Sequence, residues 1–282
     1  MKKIIANADD FGRHELINAA VQKAVREGCL RSATLMPGGV AFAGAVKLAK
    51  NEKNLGVGIH FTLVNGNPIL PKEEIPSLVD ANGLFYDSYN IFVKRYLLGK
   101  ISLEEVKKEL AAQLNKIEGA GLKLTHADSH QHMHTLPGIN AIVIELAAKA
   151  GIKAIRIPKA PLFTGNFGGV GQLIGRVGLW TLSALIAQKA KAAGLRTPEH
   201  FAGIVAGEAV SEAALLNIID NLPEGVTEIM LHPGTDNAVL QRDCAWKHDF
   251  VAELTALTST KVQQKLAEGQ VAVVNFEELG RG

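Results

Sequence analysis

Four short stretches of this 282-residue chain carry groups that hold metals and move protons: Asn7-Ala8-Asp9-Asp10-Phe11-Gly12, Gly58-Ile59-His60-Phe61, Asp128-Ser129-His130-Gln131-His132-Met133-His134 and Leu231-His232-Pro233-Gly234. One carboxylate with two imidazoles binds a divalent ion and leaves coordination positions for water and substrate. That is a catalytic arrangement rather than a closed structural one. Of two adjacent carboxylates such as Asp9 and Asp10, one can hold the ion while the other acts as general base toward water. Taken alone, the same pair reads equally well as a helix N-cap and a turn residue. His60 ends an apolar run, where a lone histidine is usually structural; its company changes that reading. His130, His132 and His134 alternate, so in an extended segment they share one face. One or two of them suffice for a metal, and the rest, with Asp128, would orient the ligands from behind. His232 suits a general acid or an oxyanion donor. Arg156, in Ile155-Arg156-Ile157-Pro158, suits a carboxylate or a substrate oxygen. No G-x-S-x-G elbow, P-loop or dinucleotide fingerprint is present.

Something must bring these stretches together. Apolar runs that read as strands cover 3–8, 32–36, 55–62, 124–128, 153–157, 201–205, 228–232 and 271–275. Helical periods lie between them, at 14–27 with Gly28 as C-cap, 41–51, 102–120 behind the capping pattern Ser102-Leu103-Glu104-Glu105, 137–150, 212–221 and 249–268. Residues 64–89 read as one long loop, of the length that is usually functional or mobile. Strands alternating with helices imply parallel βαβ units. Because the chemistry sits at the ends of non-neighbouring strands, an α/β fold of about seven parallel strands in an irregular (β/α) barrel, TIM-barrel-like, fits better than an open sheet. The expectation is a single domain over 1–282 with an apolar, Gly-rich insertion at about 162–196.

Composition narrows the classes further. Lys plus Arg is 30 and Asp plus Glu is 28, which leaves no field to recruit nucleic acid. Cys29 and Cys244 have no metal-finger spacing and read as buried thiols of a reducing compartment. The start of the chain lacks the apolar core of a signal peptide, so a cytoplasmic protein is expected. The run 177–190 is too short to span a bilayer.

With these residues in view, the chain resembles the YdjC-like carbohydrate deacetylases, the family of chitooligosaccharide deacetylase. The resemblance lies in the four stretches, the third extended back through Thr125-His126-Ala127, and runs in the family's order from residue 7 to 234. It implies an irregular barrel that hydrolyses N-acetyl groups of amino sugars with one divalent metal ion, zinc or magnesium. It implies Asp10, His60 and His130 as metal ligands, Asp9 as catalytic base and His232 as acid. Asp128, His132, His134 and Arg156 would then stand behind the ligands or against substrate. Residues 162–195 depart from the short oligosaccharide-cleaving members and resemble the hopanoid-biosynthesis branch. The substrate is therefore open between an N-acetylglucosaminyl hopanoid lipid and a chitooligosaccharide such as diacetylchitobiose. The apolar helix would line a greasy channel, touch a membrane surface through 170–190 at the inner membrane face, or pack in the core or a homodimer. Two rivals stand beside this reading. One is a non-catalytic sugar-binding barrel. The other is a phosphoesterase, which usually needs more carboxylates around a metal pair.

Overall fold

The structure is a computed structural model and describes residues 1–159, 170–204 and 209–280. Its centre is β1 (Lys2–Phe11), buried from Ile4 onward. A strand buried on both faces needs cover on both, and here helices lie outside and the curled sheet's own interior lies inside. The other strands are β2 (Ser32–Leu35), β3 (Gly56–Phe61), β4 (His126–Ser129), β5 (Ala154–Ile155), β6 (His200–Ala202), β7 (Gly225–Leu231) and β8 (Ala272–Val273). All pair in parallel, in the order β5-β4-β3-β2-β1-β7-β6. β7 takes one edge of β1 over Lys2 to Ala8. On the other edge β8 pairs with Lys3 and Ile4, and β2 takes over from Asn7. Arg196, just ahead of β6, makes a single parallel bridge to Ala154 of β5. That contact brings the two ends of the path together and curls the sheet into a barrel-like α/β fold.

Ten helices among the described residues cover this sheet: α1 (Glu15–Glu27), α2 (Phe42–Asn51), α3 (Tyr89–Leu97), α4 (Leu103–Gly119), α5 (Ile139–Lys149), α6 (Val170–Ala192), α7 (Glu212–Asp220), α8 (Asn237–Asp243), α9 (Phe250–Thr258) and α10 (Thr260–Glu268). Ser102 caps α4 by accepting from Glu105 N–H at 3.3 Å. The capping box is only half made, because the Glu105 carboxylate reaches Ser77 N–H instead, at 2.7 Å. Gly28 does end α1, but not through a left-handed turn: a Cβ there would lie 2.2 Å from the Leu257 carbonyl oxygen, so close approach to α9 demands the glycine.

Several elements differ from the sequence expectation. β1 does not stop at the Asp pair but runs through it to Phe11. Helices α3 and α8 went unread because they are short and follow polar, turn-rich sequence. The expected helix over 249–268 is two, divided at Ser259, whose ψ of 129° breaks the helix and whose hydroxyl caps α10. The loop of 64–88 is anchored rather than free. Ile75, Leu78, Val79 and Phe85 are buried, and Glu109 accepts from Ile69 and Leu70 N–H, both at 2.9 Å. Of the expected apolar insertion, α6 is seen; its Gly-rich opening over 162–169 lies outside the described residues, as does residue 205 of the expected strand at 201–205. Among the described residues no helix is long and apolar enough to cross a membrane.

Candidate metal centre

In a regular strand Asp9 and Asp10 would point to opposite faces. β1 avoids this with a bulge against β2: Ala8 pairs with Ala33, yet the next pair is Phe11 with Leu35. At the bulge Asp10 adopts a left-handed backbone, φ 61°. Only a residue held by its surroundings stays there. Both carboxylates thereby reach the barrel mouth at the C-terminal ends of the strands, where ligands gather in such folds.

There Asp10 Oδ1 lies 3.3 Å from His60 Nε2 and 2.9 Å from His130 Nδ1. All three side chains are buried. Asp10 Oδ1 and His60 Nε2 have no hydrogen-bond partner, although each is cut off from solvent. Buried polar atoms left unpaired are costly, and a mixed oxygen and nitrogen donor set within 4.8 Å is what a divalent ion takes. The electrostatics agree. Burial disfavours the imidazolium of His60, but Asp128, Asp10 and Asp9 outweigh it and lift its pKa to about 10. The surrounding carboxylates thus favour positive charge at this ring. Behind His60, Nδ1 faces Asp128 Oδ1 at 2.7 Å. A carboxylate there fixes the ring with Nε2 free to coordinate. Burial and Arg13 push His130 down despite Asp10, which favours the neutral ligand form.

Asp9 faces a different partner. Arg156 donates from Nη1 to Asp9 Oδ2 and from Nη2 to Oδ1, both at 2.6 Å. Asn7 Nδ2 adds a bond of 2.8 Å. Burial would raise the Asp9 pKa; Arg156, with help from His60 and His232, holds it well below the usual carboxylate range. Arg156 is fully buried and also reaches Asp128 Oδ2 at 2.7 Å and Glu228 Oε1 at 2.6 Å. One cation cannot neutralise three buried carboxylates. The Arg156 contact favours ionised Glu228, but full burial, with Asp128 and Asp9 adding, prevails and pushes its pKa up to about 8. A raised carboxyl pKa means that folding holds the proton, so stability falls as pH rises from about 4.5 through about 8. Glu228→Gln is expected to lessen that fall, seen as a Tm that drops less steeply across this window, with His60, lifted to about 10, keeping part of the fall above pH 6.5. An unchanged slope would place the proton elsewhere.

His232 stands beside Asp9, next to the triad of Asp10, His60 and His130. Its Nε2 is 3.9 Å from Asp9 Oδ2. Its ring stands edge-on to Trp246, centroids 4.8 Å apart, and its backbone N–H donates to buried Glu253. Burial lowers its pKa, with Asp9 and Glu253 opposing.

A family model for YdjC-like protein matches residues 3–268. The chain belongs to the YdjC-like family. Two relatives are named carbohydrate deacetylase. One, from Brevibacillus brevis, is 34% identical over 99% of this chain and 100% of its own length. The other, from Geobacillus stearothermophilus, is 30% identical over 97% and 96%. A crystal structure from Enterococcus faecalis V583, provisionally assigned to cellobiose-phosphate cleavage, superposes with a TM-score of 0.76 at 28% identity, covering 99% of this chain and 98% of that one.

The structure brings Asp9, Asp10, His60, Asp128, His130, Arg156 and His232 together in one cluster. The remaining two histidines behave differently from the sequence expectation. His130 to Thr135 is a tight 3-10 turn with Gln131 and His132 left-handed, φ 51° and 57°, so the alternating histidines do not share a face. His134 is tied to Ser129 Oγ at 2.6 Å and the Arg156 carbonyl at 3.1 Å. His132 lies against Phe201, centroids 6.1 Å apart. Neither touches the triad among the described contacts. Three site residues were unread: Arg13, Glu228 and Glu253. An acid at the head of the run at 228–232 was a visible signal for Glu228. Arg13, three residues after Asp10, was one for a carboxylate partner. Glu253 sits on a helix face with no local mark.

Proposed function

We propose that this chain hydrolyses the N-acetyl group of an amino sugar, using one divalent ion, zinc or magnesium, held by Asp10, His60 and His130. The observation that carries the reading is the meeting of three buried ligand-type atoms beside Asp9 and His232, in a chain 34% identical over its length to a carbohydrate deacetylase. When bound, the ion would polarise the acetamide carbonyl and acidify a water beside it. The chain's own groups do the rest. Asp9, kept ionised by Arg156, accepts the water's proton as oxygen adds to the carbonyl carbon. His232 Nε2, 3.9 Å from Asp9 Oδ2, is the next acceptor and passes the proton to the leaving nitrogen. The C–N bond breaks, giving acetate and a free amino sugar.

The relatives' names support a carbohydrate substrate, and the cellobiose-phosphate assignment of the Enterococcus structure supports a disaccharide-sized one. A second reading, a lipid-linked amino sugar such as an N-acetylglucosaminyl hopanoid, is favoured by one observation: Val177, Trp180 and Leu185 of α6 are exposed apolar side chains. Acetate release measured side by side on diacetylchitobiose and on the lipid-linked sugar decides between them. The expected result is release from the disaccharide. A Trp180→Ser, Leu185→Ser double variant that loses only the lipid-linked reaction would make α6 a lipid-contacting wall. No acetate from either substrate would contradict deacetylation of these sugars.

A further inference from the structure

The non-glycine residues with left-handed backbone among the described residues are Asp10, Asn65, Gln131, His132, Ala245 and Gln270. All but Gln270 belong to segments that meet at one side chain, that of Arg13. Backbone strain persists only where surroundings over-determine it. The guanidinium supplies that determination. Its Nη1 donates to Asp10 Oδ2 at 2.9 Å and lies 3.4 Å from His130 Nε2. Its Nη2 donates to Asn65 Oδ1 and, at 3.2 Å, to the Cys244 carbonyl beside Ala245. Asn65 in turn grips the far end of the long loop, through Tyr86 O at 2.9 Å and Asp87 O at 3.2 Å. The sequence arranges this locally: Arg13 N–H closes a turn on Asp10 O at 3.0 Å, with Gly12 at φ 86° in the position that needs it. Only 12% of the Arg13 side chain is exposed.

We propose that Arg13 is a positioning residue for the metal ligand Asp10: by occupying Oδ2 it presents Oδ1 alone to the ion, and by its other bonds it fixes the loops at Asn65 and Cys244 around the site. The inference rests on the metal reading given above. A carboxylate free to bind through both oxygens favours higher coordination numbers; one held to a single oxygen favours a compact, four- or five-coordinate ion. An arginine fork does this better than a lysine, whose point charge cannot hold Asp10 and both loops together.

Cobalt(II) reports the coordination number through its visible absorption, intense for four ligands and weak for six. The test titrates metal-free wild type, His60→Ala, Arg13→Ala and Arg13→Lys with cobalt, reading the spectrum and the dissociation constant against a chelator. Wild type is expected to bind one equivalent with an intense spectrum, and His60→Ala to lose it. Arg13→Ala should weaken binding about 10- to 100-fold, the usual effect of losing a residue that orients a ligand, and shift the spectrum to the weaker, higher-coordinate form. Arg13→Lys should recover the spectrum but only part of the affinity. It also serves as the test if Arg13→Ala fails to fold. An unchanged spectrum and dissociation constant in the folded Arg13 variants would overturn the positioning role while leaving the metal site standing. No cobalt bound by wild type would overturn both.

Discussion

Asp9→Asn is expected to keep its divalent ion and lose most of its turnover, on the order of 10²- to 10⁴-fold, the range a general base contributes. The reason is the division of labour between neighbouring carboxylates. Asp9 makes its bonds to Arg156 and Asn7 and stands 3.9 Å from His232, whereas Asp10 faces His60 and His130. An amide at position 9 keeps one acceptor oxygen for Arg156 but cannot take a proton from water. His60→Ala should behave oppositely and lose bound ion and activity together, because Nε2 is one of the three donors that converge from Asp10, His60 and His130. Metal content and acetate release measured on the same samples separate the two. Full turnover in Asp9→Asn would remove it from the base role. Retained metal in His60→Ala would move the centre elsewhere.

The largest stability effect is expected at Arg156. It is fully buried against Asp9, Asp128 and Glu228, so Arg156→Leu strands carboxylates without a counter-charge. Breaking a buried ion pair by removing one partner costs about 3–5 kcal/mol. At roughly 2–4 °C per kcal/mol for chains somewhat smaller than this one, Tm should drop on the order of 6–20 °C. The pH dependence has a defined sign. Asp9 and Asp128 are held below the usual carboxylate pKa of 3.8 by Arg156 against the opposing effect of burial, so that part of the stability is present at neutral pH and is lost as acid protonates them. The gap between wild type and Arg156→Leu should therefore narrow below about pH 4. Thermal melts at pH 7 and pH 3 check this, and a gap of under about 1 kcal/mol at pH 7 would show that water or rearrangement compensates the carboxylates.

The barrel and its mouth were legible because their signals are local. Apolar runs mark strands, and the runs at 3–8, 55–62 and 228–232 carry their polar groups at their ends. What stayed hidden depends on contacts across the fold. Whether Asp9 and Asp10 face one site is decided by a bulge against β2, and nothing in Asn7-Ala8-Asp9-Asp10 marks it. His130, His132 and His134 would share a face only in an extended segment, but Gln131 and His132 enter a left-handed turn whose Gln131 Oε1 accepts from Tyr89 N–H, a partner at the end of the long loop. Arg156 read as a weak candidate because a lone arginine says little; its three carboxylates come from β1, β4 and β7, which only the curled sheet brings together. Glu253 holds His232 from α9, far along the chain.

The most direct test of a one-metal deacetylase centre is to measure bound metal and acetate release from diacetylchitobiose in one preparation, before chelation, after it, and after zinc or magnesium is returned. The expected result is about one ion per chain, acetate release that disappears when the ion is stripped, and recovery when it is restored. Undiminished acetate release from fully metal-free protein would contradict the account, because the meeting of Asp10, His60 and His130 would then have no part in the reaction.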